Sequence, residues 1–398
     1  MAMSETRPRL PFRRKNILDI APGLRNLADH APISKVQTLA GDDAWLVTSY
    51  QEVKALLTDD RLGWSHPDPG HAPKISNAAM FGGAADNYDT EKADHARMRR
   101  LLTPAFSARR MLRLRSRMQA DTSHLLDNVL SMTPPVDLHE QFSFPLPTLM
   151  ICELLGVPFS DRGRFSALSS GIGDLFDHTR SHAAMRDFSE YIRELIRAKR
   201  VSPGTDIISD LIASSRESRI DENEIVGYSI DLLFAGHETT VTRIDFGTVL
   251  LLSHPAQCAE FRRDPALTHG AVEEILRMAV PSDLGGLPRY ARADIEVAGA
   301  RVRAGDAVML SVSAANRDGR TFSDPDRFDI RRNPNPHLSF GHGTHFCLGV
   351  ALARAQLGIA LASLFQRLPN LRLALPPQQL ELRSEHLIGG LVRLPVAW

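Results

Sequence analysis

Apolar residues recur at helical spacing over most of the chain between residues 95 and 280. The clearest helix start is Asp221, which can cap a helix, with Glu224 three residues later as its capping-box partner. The pattern that follows predicts one unbroken helix to about Leu252, with Pro255 just beyond its end. At about 1.5 Å per residue, thirty residues span roughly 45 Å, so we expect this helix to cross the molecule.

Strand-like alternation of apolar and polar residues is confined to short segments. Residues 36–49 alternate around a Gly-Asp-Asp turn and predict a β-hairpin. Ser49 and Glu52 then match a capping box that opens a short helix through Leu57. Alternation returns over residues 289–310 and again near the C-terminus, without a regular βαβ repeat.

The whole pattern predicts a mainly α-helical fold with small peripheral β-sheets. We expect a single domain over residues 1–398, with an N-terminal arm over residues 1–30. Residues 59–94 are rich in Gly, Pro, Asp, Asn and His and predict a long loop. Loops of this length in a compact protein usually carry a function or are mobile.

Composition excludes several classes of function. Of 398 residues, 43% are hydrophobic and 24% charged, as in a soluble globular protein. Lys plus Arg and Asp plus Glu number 47 each, so no overall basic charge draws the chain to nucleic acid or anionic lipid. The polar, Arg-rich start of the chain is unlike a signal peptide, and no apolar stretch of about 18 residues occurs. We therefore expect a cytoplasmic protein with no nucleic-acid or membrane partner.

The three cysteines are too scattered for a disulfide framework or a CxxC metal site. Cys152 and Cys258 lie in helical patterns and are expected to be small packing residues. Cys347 lies in a Gly-rich loop directly before an apolar helix, where the positive end of the helix dipole favours a thiolate. From the residues alone, the alternatives are a structural cysteine and a nucleophile with His342 or His345 as its base.

The middle of the predicted long helix departs from helix preferences. Gly236 costs about 1 kcal/mol relative to Ala in a helix, and Glu238 and Thr239 follow on an otherwise apolar face. The ordinary interpretation is a threonine hydroxyl bonded back to the preceding turn, with the glutamate on the solvated face. One turn further on, Arg243 and Asp245 are expected to pair with charges at a helix contact. A substrate contact is the alternative for Arg243.

The loop around Cys347 resembles the haem-binding signature of cytochromes P450, F-x-x-G-x-H-x-C-x-G, over residues 340–349. Residues 235–240 resemble the oxygen-activation motif of the same family, A-G-x-[DE]-T-[TS]. The resemblance implies that Cys347 is the axial thiolate of haem b and that Glu238 and Thr239 deliver protons during oxygen activation. The further haem contacts that it implies are His345, His95, Arg99, Arg289, Phe340, Gly341, Ala235, Gly236 and Gly349.

Glu274 and Arg277 are spaced three residues apart in a helical pattern. By themselves they could be an ordinary surface ion pair worth well under ~1 kcal/mol. The resemblance instead implies that they form, with Arg327, a buried charge network that positions the cysteine loop. That role is structural and not catalytic.

The resemblance implies a haem-thiolate monooxygenase that inserts one oxygen atom from O2 into an organic substrate. No flavin or iron–sulfur domain is fused to the chain, so electrons are expected from a separate ferredoxin and ferredoxin reductase. The similarity is to soluble actinobacterial enzymes and implies a polyketide- or peptide-derived secondary metabolite as substrate. The alternatives are oxidative coupling, cyclisation or nitration at the same centre, a non-catalytic haem-binding sensor, and a cysteine hydrolase without haem.

Segments 59–94 and 165–190 resemble nothing specific and lie where this family usually builds its substrate pocket. The apolar and aromatic residues that we expect to line the pocket are Trp64, Phe81, Tyr88, Phe234, Leu287 and Ile388. A basic docking surface for the redox partner is expected near the cysteine loop. Its candidate residues are Arg109, Arg110, Arg113 and Arg354.

Overall fold

The computed structural model describes residues 7–14, 16–218, 220–280, 282 and 284–398. Residues 1–6 and 15 of the predicted N-terminal arm lie outside the described residues. The rest of the arm packs on the protein, because Leu10 is buried and its backbone N–H donates to the carbonyl of Gln37.

Helices dominate the described residues, in agreement with the predicted fold class. Those of the N-terminal half are α1 Pro22–His30, α2 Tyr50–Leu56, α3 Glu91–Leu102, α4 Ala108–Leu130, α5 Pro145–Leu155, α6 Arg162–Ile172 and α7 His178–Val201. They are followed by α8 Ile207–Ser218, α9 Glu222–Gly236, α10 Glu238–Leu252, α11 Pro255–Arg263, α12 Thr268–Met278, α13 Val312–Ala315 and α14 Val350–Arg367. The predicted pocket segment 165–190 lies in α6 and α7 and the turn between them, in agreement with the helical pattern over residues 95–280. None of the helices in the described ranges is long and apolar enough to cross a membrane.

The strands form three small sheets at the periphery. In chain order they are β1 Ile33–Gln37, β2 Asp43–Val47, β3 Leu62–Gly63, β4 Val136–Asp137, β5 Leu287–Ala291, β6 Ile295–Val297, β7 Ala300–Val302, β8 Ala307–Leu310, β9 Arg372–Leu373 and β10 Pro395–Ala397. The largest sheet has the order β1-β2-β8-β5-β3, and the others are β4-β10-β9 and β6-β7. The predicted hairpin is confirmed as the antiparallel pair β1 and β2, which aligns Ile33 with Val47.

The predicted long helix is confirmed at its start and wrong in its middle. Asp221 and Glu224 form the expected reciprocal capping box. The helix then ends at Gly236 and restarts at Glu238, with His237 at φ −93° and ψ −80° between them. At this interruption the hydroxyl of Thr239 donates to the carbonyl of Ala235 at 2.6 Å, as the ordinary interpretation predicts. Such a bond to a backbone carbonyl competes with the helix ladder.

The predicted capping box at Ser49 does not form. Ser49 is the N-cap residue of α2, but its side chain makes no capping hydrogen bond. The first amide of the helix, at Tyr50, donates instead to Asp318 Oδ2 at 2.8 Å. A carboxylate distant in sequence thus performs the capping, and the helix ends at Leu56 rather than Leu57.

The main hydrophobic core lies where α10, α12 and α14 meet. Val249, Ile275 and Leu361 are buried there together. Gly247 permits this close approach, because a Cβ at that position would lie 3.1 Å from Ile275 and 3.2 Å from Leu361. The core therefore fixes α10 relative to α14, and with them the two segments that the motifs single out.

Candidate functional site

The cysteine loop precedes α14 and is tightly curled. Gly341 and Gly343 both have φ of 72°, a conformation that other residues rarely adopt. A Cβ on Gly343 would also lie only 2.7 Å from Thr58 Cγ2. The amide of Cys347 donates to the carbonyl of Phe340 at 2.9 Å and closes the loop. The loop thus holds the sulfur at a fixed position ahead of the helix.

The environment of Cys347 suits a sulfur that binds a metal. Burial raises the pKa of the thiol, and this effect exceeds the opposing influence of the Gly349 amide, which donates to the sulfur, and of Arg99 and Arg354. In the protein alone, burial therefore outweighs the influences that favour a thiolate. A metal ion bound to the sulfur would supply the missing stabilisation, since coordinated thiols lose their proton.

We find no group of three or more His, Cys, Asp or Glu side chains in the described part of the chain that could hold a metal ion. A metal at Cys347 therefore needs ligands from a non-protein group, and the four nitrogens of a porphyrin are such ligands. The residues fit haem in this respect. They do not provide the ligand set of a zinc site.

Cationic side chains converge beside the loop, where the sequence predicts contacts to haem. The rings of His95 and His345 lie 4.1 Å apart between centroids, and Arg99 Nη1 donates to the carbonyl of Phe346 at 2.8 Å. Arg289 is buried and its guanidinium lies 3.8 Å from the ring centroid of Trp64. His95, His345 and Arg289 line one cavity of about 250 Å³.

The carboxylate of Glu91 lines the same cavity and acts on these basic side chains, but its ion pair in the described ranges is with Arg292. Burial, together with the charge of Arg289, lowers the pKa of His345 to about 4. Burial likewise lowers the pKa of Arg289 to about 10. Arg289 makes no ion pair with any residue in the described ranges. The two carboxylates of haem would provide the missing charge, so this edge of the site also fits the group.

The helix side of the site contains an interior space. Ala235 is solvent-accessible, although Leu233 and Phe234 beside it are buried and α9 packs against α5, α7 and α8. An accessible residue in the middle of such a helix borders a cavity. Gly236 does not share this space, because its missing Cβ would point at Ile151 of α5, 3.1 Å away. Helix packing therefore favours glycine here, and the contact of Gly236 with haem stays a prediction.

Glu238 is buried rather than on the solvated face, so the ordinary interpretation fails for this residue. Arg383 Nη2 donates to its Oε2 at 2.6 Å, while its Oε1 has no hydrogen-bond partner within the described ranges. Burial raises the pKa of Glu238, but Arg383, His237 and His386 lower it further, and the net direction is down. The carboxylate is therefore ionised at neutral pH. The sequence analysis missed Arg383, which lies in a C-terminal segment without a motif.

Asp245 and Arg243, the two charged residues that follow Thr239 in α10, differ in whether they form an ion pair. Asp245 pairs with a second element as predicted, since its Oδ2 lies 2.6 Å from His139 Nδ1. Arg243 donates to the hydroxyl of Thr242 at 3.3 Å, and no residue in the described ranges forms an ion pair with it. Burial lowers the pKa of Arg243 to about 10.

Glu274 and Arg277 form a fully buried pair, so the surface interpretation is wrong for them. Arg277 donates to the two carboxylate oxygens of Glu274 at 2.8 and 2.7 Å. The third predicted member also needs correction. The side chain of Arg327 is exposed, and only its carbonyl accepts from Arg277, at 3.2 Å. Arg332 takes the predicted place, with Nε 3.3 Å from Glu274 Oε1, because the loop turns that side chain inward.

A second carboxylate on the same helix, which the sequence analysis missed, holds the loop from its other end. Glu273 accepts two hydrogen bonds from Arg354, at 2.8 and 2.7 Å, and lies 3.2 Å from His337 Nε2. Burial raises its pKa, but these partners outweigh burial and lower the pKa to about 2. Arg354 is thus engaged in an ion pair, as is Arg110 with Asp210. Of the predicted docking residues, Arg109 and Arg113 are exposed.

Three of the predicted pocket residues come together. The ring of Phe81 lies 5.1 Å from Trp64 and 6.0 Å from Phe234 between centroids. Phe81 has φ of 55°, so the backbone is held in an unusual conformation to place this ring. Ile388 packs against the same apolar cluster as Phe234. Leu287 is partly exposed on β5.

Tyr88 does not join the aromatic group. Its ring lies 3.8 Å below the guanidinium of Arg292, which in turn pairs with Glu91 at 3.2 Å. No ring of the aromatic group contacts it within the described ranges. We therefore assign Tyr88 to the support of the loop between β3 and α3, which corrects its prediction as a pocket residue.

Comparisons with known proteins agree with the site. A family model described as Cytochrome P450 matches residues 174–396. The chain is 45% identical to pentalenolactone synthase of Streptomyces exfoliatus, over 98% of this chain and 99% of that protein. It is 39% identical to nocardicin C N-oxygenase of Nocardia uniformis subsp. tsuyamanensis over the full length of both. Among solved structures, the pimaricin epoxidase PimD matches with TM-score 0.88 and 39% identity, covering 99% of this chain and 100% of that one.

Proposed function

This chain belongs to the cytochrome P450 family and is a monooxygenase, and we propose that it holds haem b through Cys347 and oxidises a polyketide- or peptide-derived secondary metabolite. The reaction consumes O2, two electrons and two protons. One oxygen atom enters a C–H bond or double bond of the substrate, and the other leaves as water. The observation that carries the proposal is the curled loop of Cys347 beside Arg289, a buried cation that forms no ion pair in the described ranges.

The residues have separate roles towards haem. Bound haem supplies the redox chemistry that activates dioxygen. Cys347 offers the sulfur ligand, Arg99 and Arg289 offer positive charge to the two carboxylates, and His95 and His345, whose pKa values are lowered by burial, offer hydrogen-bond donors as neutral rings. Because burial without a counter-ion is unfavourable for Arg289, binding of an anion there stabilises the folded protein.

Glu238 and Thr239 are the proposed proton carriers. Glu238 is ionised and its Oε1 has no partner in the described ranges, so that oxygen can accept a proton. The Thr239 hydroxyl, now bonded to the Ala235 carbonyl, lies at the bend of the helix next to the interior space. Arg383 orients the Glu238 carboxylate through its other oxygen.

The substrate class rests on the aromatic group and on the relatives. Trp64, Phe81 and Phe234 form a mainly apolar wall, which suits a large apolar metabolite. The relatives include pentalenolactone synthase and mycinamicin IV hydroxylase/epoxidase, whose names denote oxidation of antibiotic-type molecules. We further propose one P450 domain over residues 1–398 and a ferredoxin with its reductase as electron donor, docking near the exposed Arg109 and Arg113.

The test of haem ligation is the spectrum of the reduced protein under carbon monoxide. Haem-loaded wild-type protein is expected to give the absorbance band of thiolate-ligated haem, and Cys347→Ser is expected to lose it. Cys258→Ser, a buried cysteine away from the loop, is the matched control and should keep the band. Absence of the band in intact, haem-loaded wild-type protein would refute the proposal.

The reaction type is tested with reconstituted ferredoxin and reductase. Substrate-dependent oxidation of NAD(P)H together with a product heavier by one oxygen atom supports oxygen insertion. A product lighter by two hydrogens indicates coupling or ring closure instead. A normal carbon monoxide spectrum with no turnover of any candidate metabolite would favour a haem sensor.

A further inference from the structure

Asp231 lies in α9, and no neighbouring side chain accounts for a carboxylate at this position. It is solvent-accessible, as is Ala235, while Ile230, Leu233 and Phe234 between and beside them are buried. Residues four apart on a helix lie on the same face, about 6 Å apart along the axis. Asp231 and Ala235 therefore border the same interior space.

The accessible surface of Asp231 faces this space and not the outside of the protein. Burial alone raises its pKa to about 6, without a contribution from any neighbouring charge. Asp94, on the outer surface of α3, shows the opposite behaviour, because its pKa is lowered by hydrogen bonds from Thr90 and Asn87. Asp231 is thus surrounded by protein, although a cavity reaches it.

No residue in the described ranges forms a hydrogen bond or an ion pair with Asp231. Other buried carboxylates in the described ranges have a basic partner, as Glu238 has Arg383 and Asp245 has His139. An ionised carboxylate that faces a space enclosed by protein, without a partner, is less well stabilised than one in bulk water. Such a group persists in a cavity when a ligand supplies the partner, and a cationic ligand does so most fully because it also cancels the charge.

We propose that Asp231 recognises the substrate, and that the substrate carries a basic nitrogen whose protonated form pairs with this carboxylate. This inference rests on the proposed function, since it names the chemical class that the pocket accepts. One helical turn separates Asp231 from Ala235, so the ammonium group binds to one side of the reacting carbon. Asp231 therefore acts as a specificity-determining anchor, while the aromatic wall of Trp64, Phe81 and Phe234 holds the apolar part of the substrate.

The test uses pairs of ligands that differ only in charge. Trimethylammonioethyl and 3,3-dimethylbutyl esters of the same arylalkanoic acids have the same shape, and a quaternary nitrogen cannot ligate iron. Dissociation constants are measured on the ferric, haem-loaded full chain by spin-state shift and by calorimetry. In the wild-type protein, the cationic ester is expected to bind at least tenfold more tightly than its neutral partner.

The variants decide whether Asp231 causes that preference. Asp231→Asn is expected to bring the two constants within about twofold of each other, and Asp231→Glu to retain part of the preference. Glu222→Gln removes a charge from the outer end of the same helix and should keep the wild-type ratio. Equal binding of the two esters by wild-type protein, or a preference that survives in Asp231→Asn, overturns the proposal. The ratio of the two dissociation constants in wild-type protein can overturn the proposal by itself, even where a variant fails to fold.

The carbon monoxide spectrum of the same wild-type preparation separates this proposal from the proposed function. A normal thiolate band with equal binding of both esters refutes only the role of Asp231. Loss of the band refutes haem ligation by Cys347, on which both proposals depend.

Discussion

Replacing Arg277 with methionine tests the structural network under the cysteine loop. Both members of the Glu274–Arg277 pair are fully buried. Arg277 also donates to the carbonyls of Asn316, Pro325 and Arg327, at 2.9, 2.7 and 3.2 Å. Arg277→Met leaves a buried carboxylate and these carbonyls without their main donor. Removing one partner of a buried ion pair costs about 3–5 kcal/mol, a large part of a total stability of about 5–15 kcal/mol.

A surface pair of the same chemistry provides the control. Arg301 donates to Asp294 Oδ2 from both Nε and Nη2, at 3.1 and 2.6 Å, but the two side chains are 66% and 46% exposed. Arg301→Met should therefore shift the unfolding midpoint far less than Arg277→Met. Arg277→Lys is expected to lie between the two methionine variants, because an ammonium group cannot make the paired hydrogen bonds of a guanidinium.

The measurement is urea unfolding of the haem-loaded protein, followed by circular dichroism and by haem absorbance. A lower midpoint at unchanged slope reports lost stability. Because the network joins α12 to the segment that leads into the cysteine loop, we expect Arg277→Met to release haem at lower urea than wild-type protein does. Equal midpoint shifts for Arg277→Met and Arg301→Met would refute the argument that burial sets the cost.

Three further predictions concern charges at the site. Arg289→Leu should weaken haem retention about tenfold or more, measured by transfer to apomyoglobin, because a charge-assisted hydrogen bond contributes about 1.5–3 kcal/mol. In Arg383→Gln, burial of Glu238 is no longer opposed by that guanidinium, so its pKa rises and the acid limb of the pH–rate profile moves to higher pH; an unchanged profile would contradict this. Burial lowers the pKa of His139, but Asp245 outweighs burial, and the net effect raises this pKa. The pair therefore stabilises the folded protein fully below the unfolded pKa of the histidine. This stabilisation is lost as pH rises through the folded pKa. His139→Gln should therefore lower the unfolding midpoint more at pH 6 than at pH 9, and equal losses at both would disprove it.

Sequence reasoning succeeded where the determinants are local. The capping box of Asp221 and Glu224 needs only the chain within one turn, and it forms as predicted. The Cys347 loop is likewise specified by a contiguous run with glycines at the two positions of positive φ. The interruption at His237 was missed, although the backward hydrogen bond of Thr239 was expected, because hydrophobic periodicity continues across the break.

Partners distant in sequence were not accessible in this way. Arg383 meets Glu238 across 145 residues and carries no motif of its own. Arg327 and Arg332 are five residues apart in irregular chain, which has no period to indicate which side chain points inward. The choice between them depends on the fold around Glu274, to which Arg332 turns. The sequence therefore predicts that charged residues form such a network, but it does not predict which residues are the members.

Two groups of buried charges in the described ranges differ in purpose. Glu273 and Glu274 each accept two hydrogen bonds from one arginine, and both hold the cysteine loop. Arg289 and Asp231 are surrounded by protein, lack any ion-pair partner in the described ranges, and face cavities. Because an unpaired buried charge is destabilising, the second group marks surfaces that a ligand completes. In both proposed sites a charged side chain without a protein partner is completed by a ligand. Arg289 would bind the haem carboxylates, and Asp231 would bind the cation of the substrate.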